Sequence, residues 1–276
     1  GGTHTFDVTQ RVLGSSGSRV YDGTTNASNS DLTLSNLVGS ETLTLSGTGT
    51  IASKNVSSNK TVTLNTLAIA DGSNGGLAAN YTLSSGTHQL TVSQRPVNVS
   101  GTRLYNALAT AVASDLSTMT NLVGSETLTL SSNGTIASKD VGSNKTVTIG
   151  SLSLGNGSNG GLAANYTLTG GTHRLTVNQR PLNATIARQY DGTTNAAGSD
   201  ISSFNDLQSS ETLTMTGTGT VSSKNVANGQ SVTVGSLALA DGSNGGLASN
   251  YSLNSAALNI TQRPVNVSGT RLYNAL

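Results

Sequence analysis

Apolar and polar residues alternate along most of this chain with a period of two. Residues 41–45 read Glu-Thr-Leu-Thr-Leu, and residues 60–64 read Lys-Thr-Val-Thr-Leu. Side chains of a β-strand point alternately to opposite faces, so this pattern predicts strands with one apolar and one polar face. No segment keeps the 3.6-residue apolar period of a helix. The pattern therefore predicts an all-β protein.

A change in the parity of the apolar positions marks the end of one domain and the start of the next. Leu90 and Val92 fall on even positions, whereas Val97 and Val99 fall on odd ones. Such a change turns the buried face to the other side of the strand. It occurs at a Gln-Arg-Pro tripeptide, and proline, which cannot donate to a β-ladder, belongs at a strand start, an edge or a bulge. We predict that the last strand of one domain runs directly into the first strand of the next.

The same change of parity occurs three times, each time at Gln-Arg-Pro. We expect the arginines to brace adjacent domains by bonding to carbonyls or a carboxylate across the joint. The predicted inter-domain residues are Gln94, Arg95, Pro96, Gln179, Arg180, Pro181, Gln262, Arg263 and Pro264.

The sequence repeats itself at a constant interval. Residues 37–45 recur unchanged at 122–130, and Glu41, Glu126 and Glu211 are equally spaced. The interval between these glutamates is longer than the period of common solenoids and suits a small independent domain. We place three repeats and two partial ones: 1–11 as the last strand of a preceding repeat, 12–95, 96–180, 181–263, and 264–276 as the start of a following repeat.

Each repeat is predicted to contain about six or seven short strands, which is typical of a small antiparallel β-sandwich of the Ig-like kind. In the first repeat one longer strand is expected over residues 60–70. The chain is thus predicted to be a tandem array of such domains joined end to end. A parallel β-helix with several coils per repeat is the alternative, which the irregular loops and the change of face disfavour.

Composition excludes several classes of function. Charged residues make up 10% of the chain and the net charge is +1, which is too little positive charge to follow a phosphate backbone. There is no cysteine, so neither disulfides nor thiolate chemistry is available. No apolar run reaches the length that membrane insertion requires.

Aromatic residues are 3% of the chain. The tyrosines Tyr81, Tyr166 and Tyr251 are predicted to be the largest core residues, and each hydroxyl is expected to reach a hydrogen-bond partner.

The tyrosine near the start of each repeat carries a family resemblance. Residues 21–27 read Tyr-Asp-Gly-Thr-Thr-Asn-Ala and recur unchanged at 190–196, whereas 105–111 read Tyr-Asn-Ala-Leu-Ala-Thr-Ala. The motif resembles the YDG-type repeats that occur in tandem in large secreted bacterial adhesins of the filamentous-haemagglutinin-like, two-partner-secretion type. The resemblance implies an extracellular protein, secreted or on the bacterial cell surface, that serves cell adhesion, fibres or biofilms. It supplies no catalytic residue.

The residues after the signature tyrosine suit a turn rather than a catalytic or metal site. Asp22, Asn106 and Asp191 can each hydrogen-bond the backbone of their own turn. The next residue is glycine in two repeats but Ala107 in the middle one, so a positive φ is not expected to be required there.

No cofactor, metal or enzymatic activity is predicted. The loop 71–76 offers one carboxylate, whereas calcium prefers six to eight oxygen ligands, usually with several carboxylates. His88 and His173 have neither a second histidine nor a recurring Ser or Asp partner, so neither zinc nor a catalytic triad is supported.

A glutamate, a lysine and an asparagine recur in every repeat at constant spacing. One interpretation is a surface Glu–Lys pair, worth under about 1 kcal/mol, with the asparagine turning the chain. The other is an intramolecular Lys–Asn isopeptide crosslink assisted by the glutamate, which requires burial and a neutral lysine. The trios, each within one repeat, are Glu41, Lys54 and Asn80; Glu126, Lys139 and Asn165; and Glu211, Lys224 and Asn250.

These observations favour a structural stalk or spacer that projects or links by mechanical means. The alternative is that the repeats are themselves a binding or self-assembly module, with glycans or other copies of the chain as partners. The loop 71–80 is nearly copied three times, which favours a spacer, and the sharpest differences, at 105–119 and 198–210, are where a ligand contact is expected. Neighbouring repeats of the same chain are the expected partners, without nucleic acid or membrane insertion.

Overall fold

Short β-strands make up nearly all of the regular structure. The computed structural model describes residues 1–274. Ala275 and Leu276, which end the predicted following repeat, lie outside the described residues. The all-β prediction and the array of β-domains are confirmed, and the described strands form no solenoid of the kind that the β-helix alternative required.

The strands follow the same order in the three repeats. The first repeat contains β1 (Arg11–Val12), β2 (Gly14–Val20), β3 (Asn26–Ser28), β4 (Leu32–Ser35), β5 (Leu43–Ser46), β6 (Thr48–Ile51), β7 (Ser57–Thr63), β8 (Ala68–Asp71), β9 (Tyr81–Thr82) and β10 (His88–Ser93). The second contains β11 (Arg95–Pro96), β12 (Asn98–Leu104), β13 (Thr110–Val112), β14 (Thr118–Thr120), β15 (Leu128–Ser131), β16 (Asn133–Ile136), β17 (Gly142–Thr148), β18 (Ser153–Asn156), β19 (Tyr166–Thr167) and β20 (His173–Asn178). The third contains β21 (Arg180–Gln189), β22 (Asn195–Ala197), β23 (Ile201–Phe204), β24 (Leu213–Thr216), β25 (Thr218–Thr220), β26 (Ala227–Ser231), β27 (Ala238–Asp241) and β28 (Tyr251–Thr261).

Each repeat also has two single-turn 3₁₀ helices, one directly after the short strand that follows the signature tyrosine and one directly before the tyrosine near its end. These are Asn29–Asp31, Ala78–Asn80, Ala113–Asp115, Ala163–Asn165, Gly198–Asp200 and Ala248–Asn250. Within the part of the chain that the structure describes, no helix has the length and apolar character needed to span a bilayer.

The chain divides into two compact units, and neither coincides with a single repeat. Each unit holds one complete repeat and part of the second repeat. The first unit consists of Gly1–Ser100, Val112–Gly134 and Thr148–His173, and the second of Gly101–Ala111, Thr135–Val147 and the residues from Arg174 onward.

The first repeat forms a six-stranded sheet in the order β3-β6-β7-β10-β2-β4. Its first and last long strands, β2 and β10, are neighbours and run parallel, from the pair His88↔Ser15 to Ser93↔Val20. The other pairs in this sheet are antiparallel. The sheet is therefore mixed, with one parallel pair inside the small antiparallel sandwich that the sequence predicted. The parallel pair follows from the end-to-end connection, because the entering and the leaving strand then point in the same direction.

The third repeat shows where the core lies. Strands β23-β21-β28-β26 form one sheet, and β22-β25 and β24-β27 form two small ones. Ile186 and Leu258 on the large sheet belong to the same buried cluster as Met215 on β24 and Ala196 on β22. Aliphatic side chains of opposed sheets thus form the core, as in a sandwich.

The predicted long strand over residues 60–70 is wrong. The strand β7 ends at Thr63 and β8 begins at Ala68. Asn65 has a φ of 45°, and the amide of Leu67 donates to the carbonyl of Leu64 at 2.7 Å, so the chain turns there. Asparagine tolerates this left-handed conformation better than most residues. The turn lets β8 leave the large sheet and pair with β5.

The change of buried face at Gln-Arg-Pro is confirmed. Leu90 and Val92 are buried before the tripeptide, and Val97 and Val99 are buried after it. The third repeat continues the same pattern, with Leu182, Ala184 and Ile186 buried.

The two partial repeats predicted at the ends of the chain do not form strands over most of their length. Residues 1–10 and the described residues from 262 to 274 lie outside any strand and are exposed. In the complete repeats the first and last strands pair with each other. A first or last strand alone lacks that neighbour, and a single unpaired strand is not stable in water.

Candidate functional site

One buried carboxylate, that of Glu126, lies at the joint between the first and second repeats, inside the first compact unit. It is 7% exposed. Its Oε1 atom accepts hydrogen bonds from the hydroxyl of Tyr21 at 2.7 Å and from Nζ of Lys54 at 2.8 Å. Its Oε2 atom accepts a hydrogen bond from the hydroxyl of Tyr166 at 2.6 Å. Tyr21 and Lys54 belong to the first repeat, so two donors from one repeat converge on a carboxylate of the next.

The joint between the second and third repeats, inside the second compact unit, has the same chemistry. Glu211 is 5% exposed. It accepts hydrogen bonds from the hydroxyls of Tyr105 at 2.6 Å and Tyr251 at 2.7 Å, and it forms an ion pair with Lys139. The two joints are therefore two copies of one site.

Backbone hydrogen bonds near these residues explain why the tyrosine side chains converge on the buried glutamate. The Tyr21 amide donates to the carbonyl of Ser93 at 2.9 Å, which ties the end of β2 to the end of β10. The Glu126 amide donates to the carbonyl of Val123, and the Val123 amide donates to the Tyr166 hydroxyl oxygen at 3.1 Å. Tyr166 thus holds the turn that carries Glu126.

The two tyrosines of each joint also pack against each other. The rings of Tyr21 and Tyr166 meet edge to face, with centroids 5.4 Å apart, and those of Tyr105 and Tyr251 meet likewise at 5.3 Å. Tyr21 and Tyr105 are completely buried. The edge-to-face geometry is favourable for aromatic pairs and adds to the area they bury.

A buried asparagine closes the same joint through backbone contacts. Asn165 is completely buried, and its Oδ1 atom accepts a hydrogen bond from the amide of Val56 at 2.9 Å. Its Nδ2 atom donates to Oδ1 of Asn55 at 3.0 Å. In the second joint Asn250 makes the equivalent contacts with Val141 and Asp140, each at 2.9 Å.

The Gln-Arg-Pro arginines bond to both sides of the two complete joints. Arg95 donates to the carbonyl and side chain of Asn121 in the second repeat, and to the carbonyl of Tyr21 in the first. Arg180 donates in the same way to the carbonyls of Asp206 and Tyr105. Their partners across the joint are carbonyls, which is one of the two kinds of partner that the sequence predicted.

The neighbouring glutamines tie the joints as well, because Gln94 donates to the carbonyl of Ala164 and Gln179 to that of Ser249. Pro96 pairs with Thr167 and Pro181 with Ser252 in parallel register. The third tripeptide, Gln262, Arg263 and Pro264, is exposed.

The recurring glutamate, lysine and asparagine meet between repeats, so the prediction of trios within one repeat is wrong. Lys54 pairs with Glu126, and Lys139 pairs with Glu211. The lysine loop lies at one end of a repeat, and the glutamate and asparagine lie at the other. A constant spacing cannot distinguish these two arrangements, because the partner recurs in every repeat. Among the described residues, Glu41, Asn80 and Lys224 take part in neither of the two joints.

The charge states at the joint favour an ion pair over the isopeptide crosslink. The hydrogen bond to Glu126 raises the pKa of Lys54 above its ordinary range. Burial acts to raise the pKa of Glu126, but hydrogen bonds from Lys54, Tyr166 and Tyr21 outweigh it and hold that pKa below its ordinary value of 4.5. A lysine that attacks an amide must be neutral, and these shifts keep it charged.

The tyrosines of the joint resist ionisation. Burial and the neighbouring Glu126 raise the pKa of Tyr166 to about 12, and burial and Glu211 raise that of Tyr251 to about 12. Burial also raises the pKa values of Tyr21 and Tyr105. The prediction that Tyr81, Tyr166 and Tyr251 are buried with bonded hydroxyls is confirmed.

Sequence reasoning missed the part that the signature tyrosines, Tyr21 and Tyr105, have in the joint. The available signal was that the tyrosine persists in the middle repeat although the Asp and Gly of the signature are lost there. Such persistence indicates that the tyrosine has a function separate from the turn that follows it.

The turn after the signature tyrosine is confirmed, but its predicted tolerance of ordinary φ is wrong. Side chains of Asp22, Asn106 and Asp191 each accept a hydrogen bond from the amide two residues later. Ala107, however, has a φ of 60°, close to the left-handed values of the two equivalent glycines. The middle repeat therefore keeps the conformation with a residue that it strains.

The loop at residues 71–76 and its equivalent in the second repeat cap the 3₁₀ turns that end at Asn80 and Asn165. Oδ1 of Asp71 accepts a hydrogen bond from the amide of Ala78 at 2.7 Å, and Asn156 does the same for Ala163. Among the described residues, no group of three or more His, Cys, Asp or Glu side chains could hold a metal ion.

His88 is buried within the first repeat. Its Nδ1 atom lies 2.9 Å from Oγ of Ser15, and its Nε2 atom lies 2.8 Å from the carbonyl oxygen of Leu83. Both ring nitrogens are thus engaged inside the repeat. The second repeat keeps the contact between His173 and the carbonyl of Leu168.

Comparison with known proteins identifies one family. The model of the YDG domain matches three successive stretches, residues 8–89, 87–174 and 172–258. No curated protein and no solved structure matches the chain. Each matched stretch contains one signature tyrosine, one glutamate of the kind found at the joints and one lysine loop.

Proposed function

Because this chain belongs to the YDG domain family, and because its joints repeat one set of contacts, we propose that it is a stalk or spacer segment of an extracellular bacterial adhesin or surface fibre. The observation that supports the proposal best is the buried carboxylate of each joint, Glu126 and Glu211, with its two tyrosines and one lysine. A spacer needs the same stiff connection at every repeat. A site that recognises a ligand would be expected to differ between repeats.

The mechanical part of the proposal rests on the covalent path through the joint. The chain passes from β10 through Arg95–Pro96 into β12 almost without leaving extended structure. Arg95 holds both sides of this passage, because it donates to Asn121 in one repeat and to Tyr21 in the other. A pull along the chain is carried by the strands, whereas bending has to break the hydrogen bonds around Glu126.

This arrangement suits a chain without cysteine outside the cell. A fibre exposed to shear often relies on covalent staples, which this sequence lacks. In their place each joint buries a charge-assisted hydrogen-bond network, and such bonds are stronger than those between neutral groups. The sequence is also nearly neutral and rich in Ser, Thr and Asn, which suits a soluble spacer.

Small-angle X-ray scattering tests the spacer function directly. We expect the wild type at low concentration to give a narrow distribution of interatomic distances, because a buried network holds each joint. The variant Tyr21→Phe/Tyr105→Phe loses one donor at each joint and should give a broader distribution of distances. If wild type and variant give the same broad distribution, the joints do not stiffen the chain and the spacer proposal fails.

A further inference from the structure

We propose that the third repeat contains a mechanical clamp, which keeps it folded under a pull along the chain after the first two repeats have unfolded. The clamp is the parallel ladder between β21 and β28, the first and last strands of that repeat. The difference in strength follows from strand pairing within single repeats. Only its use, a graded response of the spacer to tension, rests on the proposed function.

The direction of the two strands determines how the ladder is loaded. It runs from the pair Arg180↔Tyr251 to the pair Gln189↔Thr261. The chain enters β21 at Arg180 and leaves β28 at Thr261, so tension acts at opposite ends of the ladder. The hydrogen bonds between the strands are therefore loaded in shear, and they have to break together rather than one after another.

The ladder of the third repeat continues through its single irregularity. It contains ten pairs of residues, with one register shift at Asn254. The side chains of Asn254 and Ser255 both donate to Oδ1 of Asn183, at 3.0 Å and 2.7 Å. These two bonds tie the bulge to the opposite strand, so that force passes along the whole ladder.

In the first repeat the corresponding ladder is divided by a turn. Two pairs join β1 to β9, and six pairs, beginning with His88↔Ser15, join β2 to β10. Residues 83–87 lie between β9 and β10. The amide of Gly86 donates to the carbonyl of Leu83 at 3.1 Å, and Ser85 has a φ of 64°.

The turn reduces the number of pairs that resist a pull. It lies in series with β9, so it stretches before β9 can carry a load. Only the six pairs between β2 and β10 then resist at first, compared with ten in the third repeat. In both repeats the same kinds of strand flank the ladder, β4 and β7 in the first and β23 and β26 in the third. The length of the loaded ladder is therefore the main difference.

A buried histidine accompanies the turn. Nε2 of His88 lies 2.8 Å from the carbonyl oxygen of Leu83, the first residue of the turn, and His173 makes the same contact in the second repeat. The third repeat has Ala256 at this position, paired with Ala184. An alanine needs no polar partner, so β28 continues where the other two repeats form a turn.

The longer ladder should delay unfolding under force. More hydrogen bonds have to break in the transition state for unfolding of the third repeat, and each adds to the barrier. We therefore expect this repeat to survive at least about tenfold longer than the others at the same force. The first two repeats would unfold and lengthen the spacer, which lowers the tension before the third repeat unfolds.

Constant-force spectroscopy of the 276-residue chain, held by its two ends, tests the proposal. The wild type should show two short-lived unfolding steps and one long-lived step. The three steps should be of similar length, because the repeats contain nearly the same number of residues, so variants have to assign them. Three steps with the same lifetime overturn the proposal.

Transfer of the turn assigns the long-lived step. Residues 254–256 are replaced by Thr-Gly-Gly-Thr-His, the sequence of residues 169–173 in the second repeat. The new turn should divide the ladder, so the long-lived step should be replaced by a third short-lived one. A folded variant that keeps the long-lived step overturns the proposal.

A single substitution tests the same ladder without changing the length of the chain. Asn183→Ala removes the acceptor that ties the bulge, and it should shorten the long-lived step several-fold. Asn195→Ala is the matched control, because Asn195 is exposed on β22, outside the ladder. It should leave all three lifetimes unchanged. If Asn183→Ala also leaves the long-lived step unchanged, the ladder is not the clamp.

The direction of pulling separates a clamp from general stability. Gln189 and Thr261 are exposed and form a pair at one end of the ladder. Handles attached to Gln189→Cys/Thr261→Cys in reducing buffer would open the ladder one pair at a time. The third repeat should then unfold much sooner than it does when the ends of the chain are pulled. Equal lifetimes in the two directions would contradict the clamp.

The clamp and the spacer function can fail separately. Equal lifetimes of the three repeats, together with the narrow scattering distribution expected above, would reject the clamp and keep the spacer. One long-lived step in a chain whose scattering distribution is broad would keep the clamp and reject stiff joints.

Discussion

At the scale of single residues, the second position after the signature tyrosine shows that local conformation and packing against neighbours are separate effects. Gly23, Ala107 and Gly192 occupy this position, with φ of 80°, 60° and 84°. A Cβ atom on Gly23 would lie 2.6 Å from Cγ1 of Val123, whereas a Cβ atom on Gly192 would meet nothing within 4 Å. A Cβ atom at this position is thus disfavoured by conformation in every repeat and by packing in the first.

Three substitutions distinguish these two effects. Ala107→Gly should increase the free energy of unfolding by about 1 kcal/mol, since it relieves a left-handed alanine. Gly192→Ala should lower it by about the same amount, and Gly23→Ala should lower it further because Val123 has to move. Urea denaturation measures all three. A loss for Gly23→Ala no larger than that for Gly192→Ala would contradict the packing contribution.

At the scale of elements, the joint depends on three donors around one carboxylate. Tyr21→Phe removes one of them and keeps the ring, and it should cost about 1.5–3 kcal/mol because the lost bond is to a charged, buried acceptor. Tyr190→Phe is the matched control, because the Tyr190 hydroxyl has no partner among the described residues. Urea denaturation of the monomeric proteins gives both values, and equal small effects would show that the Glu126 network does not stabilise the joint.

The same network predicts how stability depends on pH. Glu126 and Glu211 have pKa values below the ordinary 4.5 in the folded chain. The folded state therefore binds fewer protons than the unfolded state, and the stabilisation is complete above about pH 4.5 and is lost as the pH falls through the lower folded value. Tyr166 and Tyr251, with pKa values raised to about 12, lose their contribution as the pH rises from 10 toward 12. The raised pKa values of Lys54 and Lys139 act in the same direction as those of the tyrosines.

Urea midpoints measured across this pH range test the dependence. We expect a plateau between about pH 5 and 9 with a fall on both sides. Glu126→Gln/Glu211→Gln should lower the plateau and flatten the acidic limb, because the titrating groups are gone. If the acidic limb is unchanged in this variant, the loss of stability at low pH is due to other carboxylates.

At the scale of the whole molecule, the two joints have no residue in common. The side chains around Glu126 all belong to the first compact unit, and those around Glu211 all belong to the second. Sites without shared partners usually contribute additively to stability. Because one joint is repeated, the stability of the chain is then expected to increase with the number of repeats.

Additivity is checked with a double-mutant cycle. The loss of unfolding free energy in Tyr21→Phe/Tyr105→Phe should equal the sum of the two single losses within about 0.5 kcal/mol. A coupling free energy well above this limit would mean that each joint affects the stability of the other through the second repeat.

The sequence by itself determined the features that depend on local pattern and on repetition. The alternation of apolar residues and the parity change at Gln-Arg-Pro predicted the strands and the change of buried face at Val97 and Val99. The equally spaced copies predicted the tandem domains and singled out Glu126, Lys54 and Asn165 as recurring chemistry. These inferences hold because strand faces and repeats are encoded in neighbouring or equivalent residues.

Only the tertiary structure decided which of the recurring side chains meet. A periodic sequence is equally consistent with Lys54 bonding Glu41 or Glu126, because both stand at a repeated position, and the choice depends on which end of the repeat each loop occupies. The parallel pairing of β2 and β10, the turn at Asn65 and the left-handed Ala107 likewise follow from long-range hydrogen bonds and packing. Such contacts join residues far apart in the chain, and no local pattern records them.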